Sequence, residues 1–392
     1  MTRTSPIVPE LSIIRTPQEG ENRATFFELF FDLVYVFAVT QLSHHLLDDL
    51  SWATAAETAF MLVALYWAWT YTTWMTNWFD PDTVPVRLVL VFVMLASLLM
   101  SVAIPEGFGE YALLFACAYS GMQIGRNAFV VAVTPRGRFN QNFRHILAWS
   151  VLSAPLWVAG GVVDDGLRWA LWLGALGLDL AAPLAAYWLP RLGRTPMSQW
   201  QIEGAHFGER FQLFVIIALG ESIVPAGATA SDTGLSIEVV AALLLAFLSS
   251  TALWWLYFGQ VAGAVLQRIR MATPEERGQI GRDIYTYLHL PIVAGIVLVA
   301  VADELVIAHP ADDLEDAGAL VALVGPALFL AGLMATSARI GNAQSWPRAA
   351  AVVALLAAVP LAAGASGLLV SALLTVLLAV LVVAEQLSAG QA

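Results

Sequence analysis

The chain has 392 residues, 59% of them hydrophobic and only 12% charged, with a formal net charge of −12; soluble domains carry about 25% charged residues. That balance excludes an ordinary soluble globular protein and, with no sustained basic surface, a nucleic-acid binder, and it points to an all-α polytopic membrane protein. All 18 basic residues are arginines, and the single cysteine, Cys117, permits no intrachain disulfide.

Residues 1–24 read as a polar cytoplasmic tail containing Pro6, Pro9 and Pro17. They lack the charged-then-apolar-then-small order of a cleaved signal peptide, so the first helix is expected to be retained as a signal anchor. Apolar windows bounded by Pro, Gly and charges then predict about twelve transmembrane helices, at 25–47, 55–78, 85–104, 111–133, 143–161, 167–189, 206–228, 236–263, 284–308, 317–337, 348–365 and 367–387. Each window has about the 20 residues a helix needs to cross a bilayer core. Only Gly364 and Gly367 separate the last two, and eleven spans is the alternative reading.

The arginines order the loops. Fifteen of them fall in the N-terminal tail (Arg3, Arg15, Arg23) and the even-numbered loops, while Arg168 alone lies on the other side and Arg126 and Arg210 lie within spans. The acidic runs Asp48-Asp49, Asp164-Asp165 and Asp312-Asp313-Leu314-Glu315-Asp316 fall opposite the arginines. Lys and Arg concentrate in cytoplasmic loops, so both termini are expected in the cytoplasm of a bacterial cell, with the chain in its inner membrane.

The chain also repeats itself weakly. "ELFFDLVYVFAVT" in span one aligns with "ERFQLFVIIALGE" in span seven, pairing Glu28 with Glu209, and spans two and five have counterparts in spans eight and eleven. Six spans per unit gives two parallel six-helix repeats, related by an axis along the membrane normal. The expected division is a tail over 1–24, a first repeat over 25–190, a cytoplasmic linker over 191–205 and a second repeat over 206–388.

Charges within spans are costly, about 2.5–3.5 kcal/mol at the bilayer centre, and usually face the bundle interior or a water-filled cavity. The bland alternative is a buried pair that only fixes packing. In span one, Glu28 and Asp32 lie one turn apart on one face, continued by Tyr35, Val39 and Ser43, with Gln41 and the His44-His45 pair towards the far end. In span seven, His206, Glu209 and Arg210 have helical spacing, and Glu221 lies about 18 Å beyond Glu209, just ahead of Pro225. Arg210 is expected to neutralise Glu28 or Asp32, since a pair is cheaper to bury than a lone carboxylate. Gln123, Arg126 and Asn127 interrupt span four, Asp179 span six and His289 span nine, with Arg126 the expected partner of Asp179. Asp303 and Glu304 read as interfacial. Trp67, Trp69, Tyr71, Trp74 and Trp78 could line a substrate path; the bland alternative, which Trp74 and Trp78 near the inner end fit, is an interfacial belt.

No phosphate-binding loop, GxGxxG, HExxH or GxSxG motif is present, and no Cys/His cluster with metal-ligand spacing. No cofactor or metal is therefore expected. The strings "ELFFDLVYVFAVTQLSHHL" and "HFGERFQLFVIIALGESIV" closely resemble the signatures of the bacterial low temperature requirement protein A family, LtrA. The resemblance extends from about Thr25 to Leu387. It implies a polytopic inner-membrane protein, linked by name to growth in the cold and with no settled substrate, and it singles out Glu28, Asp32, Gln41, His44, His206, Glu209, Arg210 and Glu221. A fainter likeness, from Arg23 through Phe31-Asp32 to Ala38, is to the R…FSD motif of an endolysosomal potassium channel family, but Phe31 replaces the serine.

These readings favour a secondary transporter whose buried carboxylates couple protons to an unknown small molecule or ion. The alternatives are an ion channel, an intramembrane enzyme acting on lipid, and a structural membrane scaffold. The lipid bilayer is the one expected partner, nucleic acid is not one, and a homo-oligomer stays open.

Overall fold

The computed structural model describes residues 13–15, 23–195, 200, 202–341 and 346–389. Arg3, Pro6, Pro9 and Pro17 of the tail lie outside the described residues. Among those residues the regular structure is helical, and the β-type pairing consists of three isolated bridges, Ile14–Phe79, Leu189–Gly193 and Asp313–Ser366. In chain order the helices are α1 (Phe26–Asp48), α2 (Trp52–Trp78), α3 (Val84–Ala103), α4 (Ala112–Val133), α5 (Arg138–Gly160), α6 (Asp165–Leu184), α7 (Gly204–Glu221) and α8 (Val224–Thr233). They continue as α9 (Ile237–Leu256), α10 (Ala262–Met271), α11 (Pro274–Ile280), α12 (His289–Ala308), α13 (Asp316–Arg339), α14 (Trp346–Ala362) and α15 (Gly367–Ala389).

Among the described residues, eight helical stretches are long and apolar enough to cross a membrane: Phe26–Asp48, Val84–Glu106, Gly166–Leu184, Gly204–Thr233, Ile237–Met271, Pro274–Ala308, Asp316–Arg339 and Gly367–Ser388. The other four expected windows also fold as helices. In α2, α4 and α5, however, Trp, Tyr, Thr, Asn or Arg dilute the apolar run, and α14 has 17 residues.

The window 143–161 begins five residues early, at Arg138, and 167–189 ends five early, at Leu184, and three further stretches depart from the expected boundaries more deeply. The window 206–228 is two helices rather than one, because α7 ends at Glu221 and α8 begins at Val224. Pro225 sits in the first turn of α8, where its missing N–H costs nothing, so the proline starts a new helix instead of kinking an old one. The window 236–263 extends to Met271, with a π-helical turn over Tyr257–Val261 between α9 and α10. The window 284–308 begins earlier, since α11 passes through π-helical turns over Gly281–Leu288 into α12. Arg268, Arg270, Arg277 and Arg282 therefore ride on helix ends rather than a loop.

The widened stretch Gly281–Leu288 is tied at its end by His289. His289 Nδ1 donates to the Ile284 carbonyl at 3.1 Å, which leaves Nε2 to accept from the Tyr257 hydroxyl at 2.7 Å. One imidazole thus ties the two π-helical regions together in the core.

Packing is tightest where α12 crosses α13. A Cβ on Gly295 would stand 2.6 Å from both the Gly325 carbonyl oxygen and the Phe329 nitrogen, so the backbones touch without an intervening side chain. Small residues permit such close crossings in membrane helices. α1 packs against α2, α3, α7 and α12, which makes it the element around which the polar interior is arranged.

Candidate functional site

The start of α1 is fixed by its own sequence. Thr25 is the N-cap, accepting the Glu28 amide at 3.2 Å, and Glu28 Oε2 accepts the Thr25 amide in return at 2.9 Å. This reciprocal capping holds the first turn and points the Glu28 carboxylate back towards the α7 side. Glu209 of α7 adds a second tie, its Oε2 accepting the Ala24 amide at 2.9 Å.

Around that start lies a buried charge cluster. Glu28, His206 and Arg210 are wholly buried and Asp32 nearly so. Arg210 reaches Glu28 Oε1 at 2.9 Å and Asp32 Oδ1 at 2.6 Å, so the expected neutralisation of one carboxylate or the other is neutralisation of both. His206 Nε2 donates between the two Glu28 oxygens at 3.0 and 3.1 Å, while its Nδ1 lies 3.2 Å from the Asn77 amide nitrogen, which can only donate. The imidazole thus bridges Asn77 of α2 and Glu28 of α1. The Trp69 indole N–H donates to Asp32 Oδ1 at 2.8 Å, and the Arg210 guanidinium lies over the Phe31 and Trp69 rings at 5.7 and 5.8 Å.

A fourth charge comes from the N-terminal segment. Ile13–Arg15 runs alongside the end of α2, with the Arg15 amide donating to the Trp78 carbonyl at 2.9 Å and the Asp80 amide to the Ile13 carbonyl at 3.0 Å. That strap delivers the Arg15 guanidinium to Glu28 Oε2 at 3.3 Å. Two guanidiniums thus face the two carboxylates of Glu28 and Asp32, which satisfies the requirement that buried charge be paired. Asp32 Oδ2 and Arg210 Nε remain buried without a hydrogen-bond partner.

A second polar centre lies towards the other end of α1, at the break between α7 and α8. Glu221, 4% exposed, contacts Thr40 Oγ1 at 2.7 Å and Ser43 Oγ at 3.1 Å. Beside it the Ser250 hydroxyl of α9 donates to Ser222 Oγ at 2.9 Å. Glu304 of α12 accepts from Thr229 of α8 at 3.2 Å and lies 4.0 Å from His44, whose side chain is 46% exposed. Gln41 is half-buried on α1 and joins neither centre by a hydrogen bond.

Arg126 and Asp179 form a third network, with different partners from those expected. Arg126 donates to the Ala68 carbonyl, Thr72 Oγ1 and Gln123, and lies 5.3 Å from the Tyr71 ring. Asp179 Oδ2 accepts from Tyr119 at 2.9 Å and Trp157 at 3.0 Å, and Gln123 donates to the Tyr119 hydroxyl at 3.1 Å. The two charges are linked through Gln123 and Tyr119 rather than in direct contact, because those polar side chains fill the space between them.

Sequence reasoning missed several participants. Thr76 and Asn77 were not singled out, and Trp69 was offered only as part of a substrate path; on α2 the three contact Arg210, His206 and Asp32, a polar stripe readable in "WTYTTWMTN" only with the partner helix known. The arginine count assigned Arg348 to a loop, yet it is buried at the start of α14 and pairs with Glu385 of α15 at 2.5 and 2.7 Å. Trp67 and Trp69 are core residues, while Trp74 and Trp78 pack with Trp200. No group of three or more His, Cys, Asp or Glu side chains placed to hold a metal occurs among the described residues.

Residues 23–383 match the family model described as Bacterial low temperature requirement A protein (LtrA). The chain is 39% identical over 328 residues to a protein of Rhizobium meliloti (strain 1021) named "Uncharacterized protein RA0937", covering 82% of this chain and 78% of that one. No solved structure matches.

Proposed function

The chain belongs to the bacterial low temperature requirement A family, and from that premise we propose that it is a secondary carrier of the inner membrane, built as twelve crossings in two six-helix halves. The observation that carries this reading is the interruption of a membrane-length helix at Ser222–Ile223, beside the buried Glu221 and the hydroxyls of Thr40 and Ser43. Broken helices lining a polar centre are how carriers build ion and substrate sites at mid-depth. Two polar centres share the α1–α7 seam, one at each end. The cluster at Glu28, Asp32, His206 and Arg210 closes the cytoplasmic end, with the Arg15 strap across it. The Glu221 centre opens towards the opposite face past Glu304 and the half-exposed His44. In this reading the buried carboxylates couple an ion gradient to substrate movement, and the unused bonding capacity of Asp32 Oδ2 and Arg210 Nε leaves the closed cluster a route to rearrange.

Purified protein reconstituted in liposomes, under imposed proton and potassium gradients, tests the proposal. Coupled flux that Asp32→Asn abolishes supports it, whereas wild-type rates in that variant remove the cluster from the mechanism. Fast flux without coupling would instead favour a channel. The complete charge balance of the cluster favours a second reading, a packing scaffold. That reading predicts no flux in any variant, with folding restored when Asp32 and Arg210 are neutralised together.

A further inference from the structure

The hydroxyls that meet Glu221 are short of hydrogens. Thr40 Oγ1 lies 3.1 Å from the Val36 carbonyl and 2.7 Å from Glu221 Oε2. Ser43 Oγ lies 2.9 Å from the Val39 carbonyl and 3.1 Å from Glu221 Oε1. Each hydroxyl owns one hydrogen, so two hydrogens face four acceptor oxygens if Glu221 is ionised. A buried carboxylate served by two half-shared hydroxyls is poorly solvated.

We infer that Glu221 is a proton-binding site and carries its proton on Oε2 in this conformation. The carboxylic acid then donates to Thr40 Oγ1, Thr40 donates to the Val36 carbonyl, and Ser43 forks between the Val39 carbonyl and Glu221 Oε1. Three hydrogens now cover the four contacts. The short Thr40 contact has the usual length of an O–H···O bond, about 2.7–2.8 Å. The charged and titratable groups that act on this carboxyl are His44 from α1 and Glu304 from α12, while the α8 and α9 hydroxyls are engaged elsewhere, Thr229 with Glu304 and Ser250 with Ser222. The proton's path to solvent therefore runs past Glu304 and His44, away from the balanced cluster at the other end. This names the coupling ion of the carrier proposed above, yet it can be tested without transport.

The test is the infrared difference spectrum of the full chain in lipid nanodiscs near neutral pH, read at the C=O stretch of a protonated carboxylic acid. The wild-type spectrum should contain a band that Glu221→Gln removes, that Thr40→Val shifts without removing, and that replacing choline with sodium leaves unchanged. Superimposable wild-type and Glu221→Gln spectra, with both proteins folded, would overturn the inference, as would loss of the band on adding sodium. Should Glu221→Gln fail to fold, the shift in Thr40→Val decides, and an unshifted spectrum overturns it. If the band is present but liposomes show no flux, the carrier reading falls and the proton site stands. If flux is coupled but the band is absent, the reverse holds.

Discussion

Arg210 and Asp32 meet at 2.6 Å although 178 residues separate them in the chain. They fasten α7 to α1 in a region without bulk water, where an unpaired charge is far more costly than at the surface. Arg210→Gln alone leaves Glu28 and Asp32 with only Arg15 and should cost about 3–5 kcal/mol. Asp32→Asn alone leaves a surplus guanidinium. The double variant restores balance, since Arg15 then matches Glu28, so it should be more stable than the Arg210 single variant. Unfolding of the four proteins in detergent, compared as a double-mutant cycle, checks this, and simple additivity would refute the coupling.

The pair formed by Arg348 and Glu385 should behave in the same way. Both of its bonds are short, and Arg348 also reaches Ser337 of α13 at 3.2 Å, so this group staples the last three helices together. Glu385→Gln should lower the thermal midpoint clearly, and the exchange Arg348→Glu with Glu385→Arg should recover part of the loss. Equal midpoints for Glu385→Gln and wild type would show the staple to be idle.

Much of this was legible in the sequence because hydropathy is local. A run such as Leu88–Ser101 must be buried or face lipid whatever surrounds it, so the helices appear where the apolar windows lie. Glu28, Asp32 and Arg210 were legible for a related reason: charges inside a span need partners, and few were on offer. Arg15 was not legible, because it sits in a short polar tail without periodicity and reaches Glu28 only through backbone pairing with the end of α2. Thr76 and Asn77 were hidden, and Trp69 was read without its partner Asp32, because a polar group in a span can face any neighbour until packing is known. Arg348 was misread as a loop charge because position counting cannot tell a helix-end arginine in lipid headgroups from one turned inward.

The crossing of α12 and α13 gives a steric prediction. Gly295→Ala puts a methyl group against the backbone of α13, and no side-chain rotation relieves that clash. Folded yield in membranes should fall steeply. Gly263→Ala in α10, where nothing lies within 4 Å of the added atom, serves as the control and should be neutral or slightly stabilising, by up to about 1 kcal/mol. If both variants accumulate equally, the helices are further apart than described.

Orientation can be read with the chain's single cysteine removed. In a Cys117→Ala background, a cysteine at Arg194 should react with an impermeant maleimide only from the cytoplasmic side, and one at Asp313 only from the opposite side. The reverse pattern would invert the topology expected from the arginines.

The wide separation of Asp32 and Arg210 also constrains how the protein is made. The first helix emerges from the ribosome with both carboxylates, while the guanidinium that holds them arrives 178 residues later. At about 5–20 residues per second, that interval is on the order of 9–36 s. During it α1 carries an acidic face that lipid cannot accept. The nascent chain must therefore be sheltered at the insertion machinery until α7 follows, and slowing translation between the two should expose α1 to quality-control proteolysis.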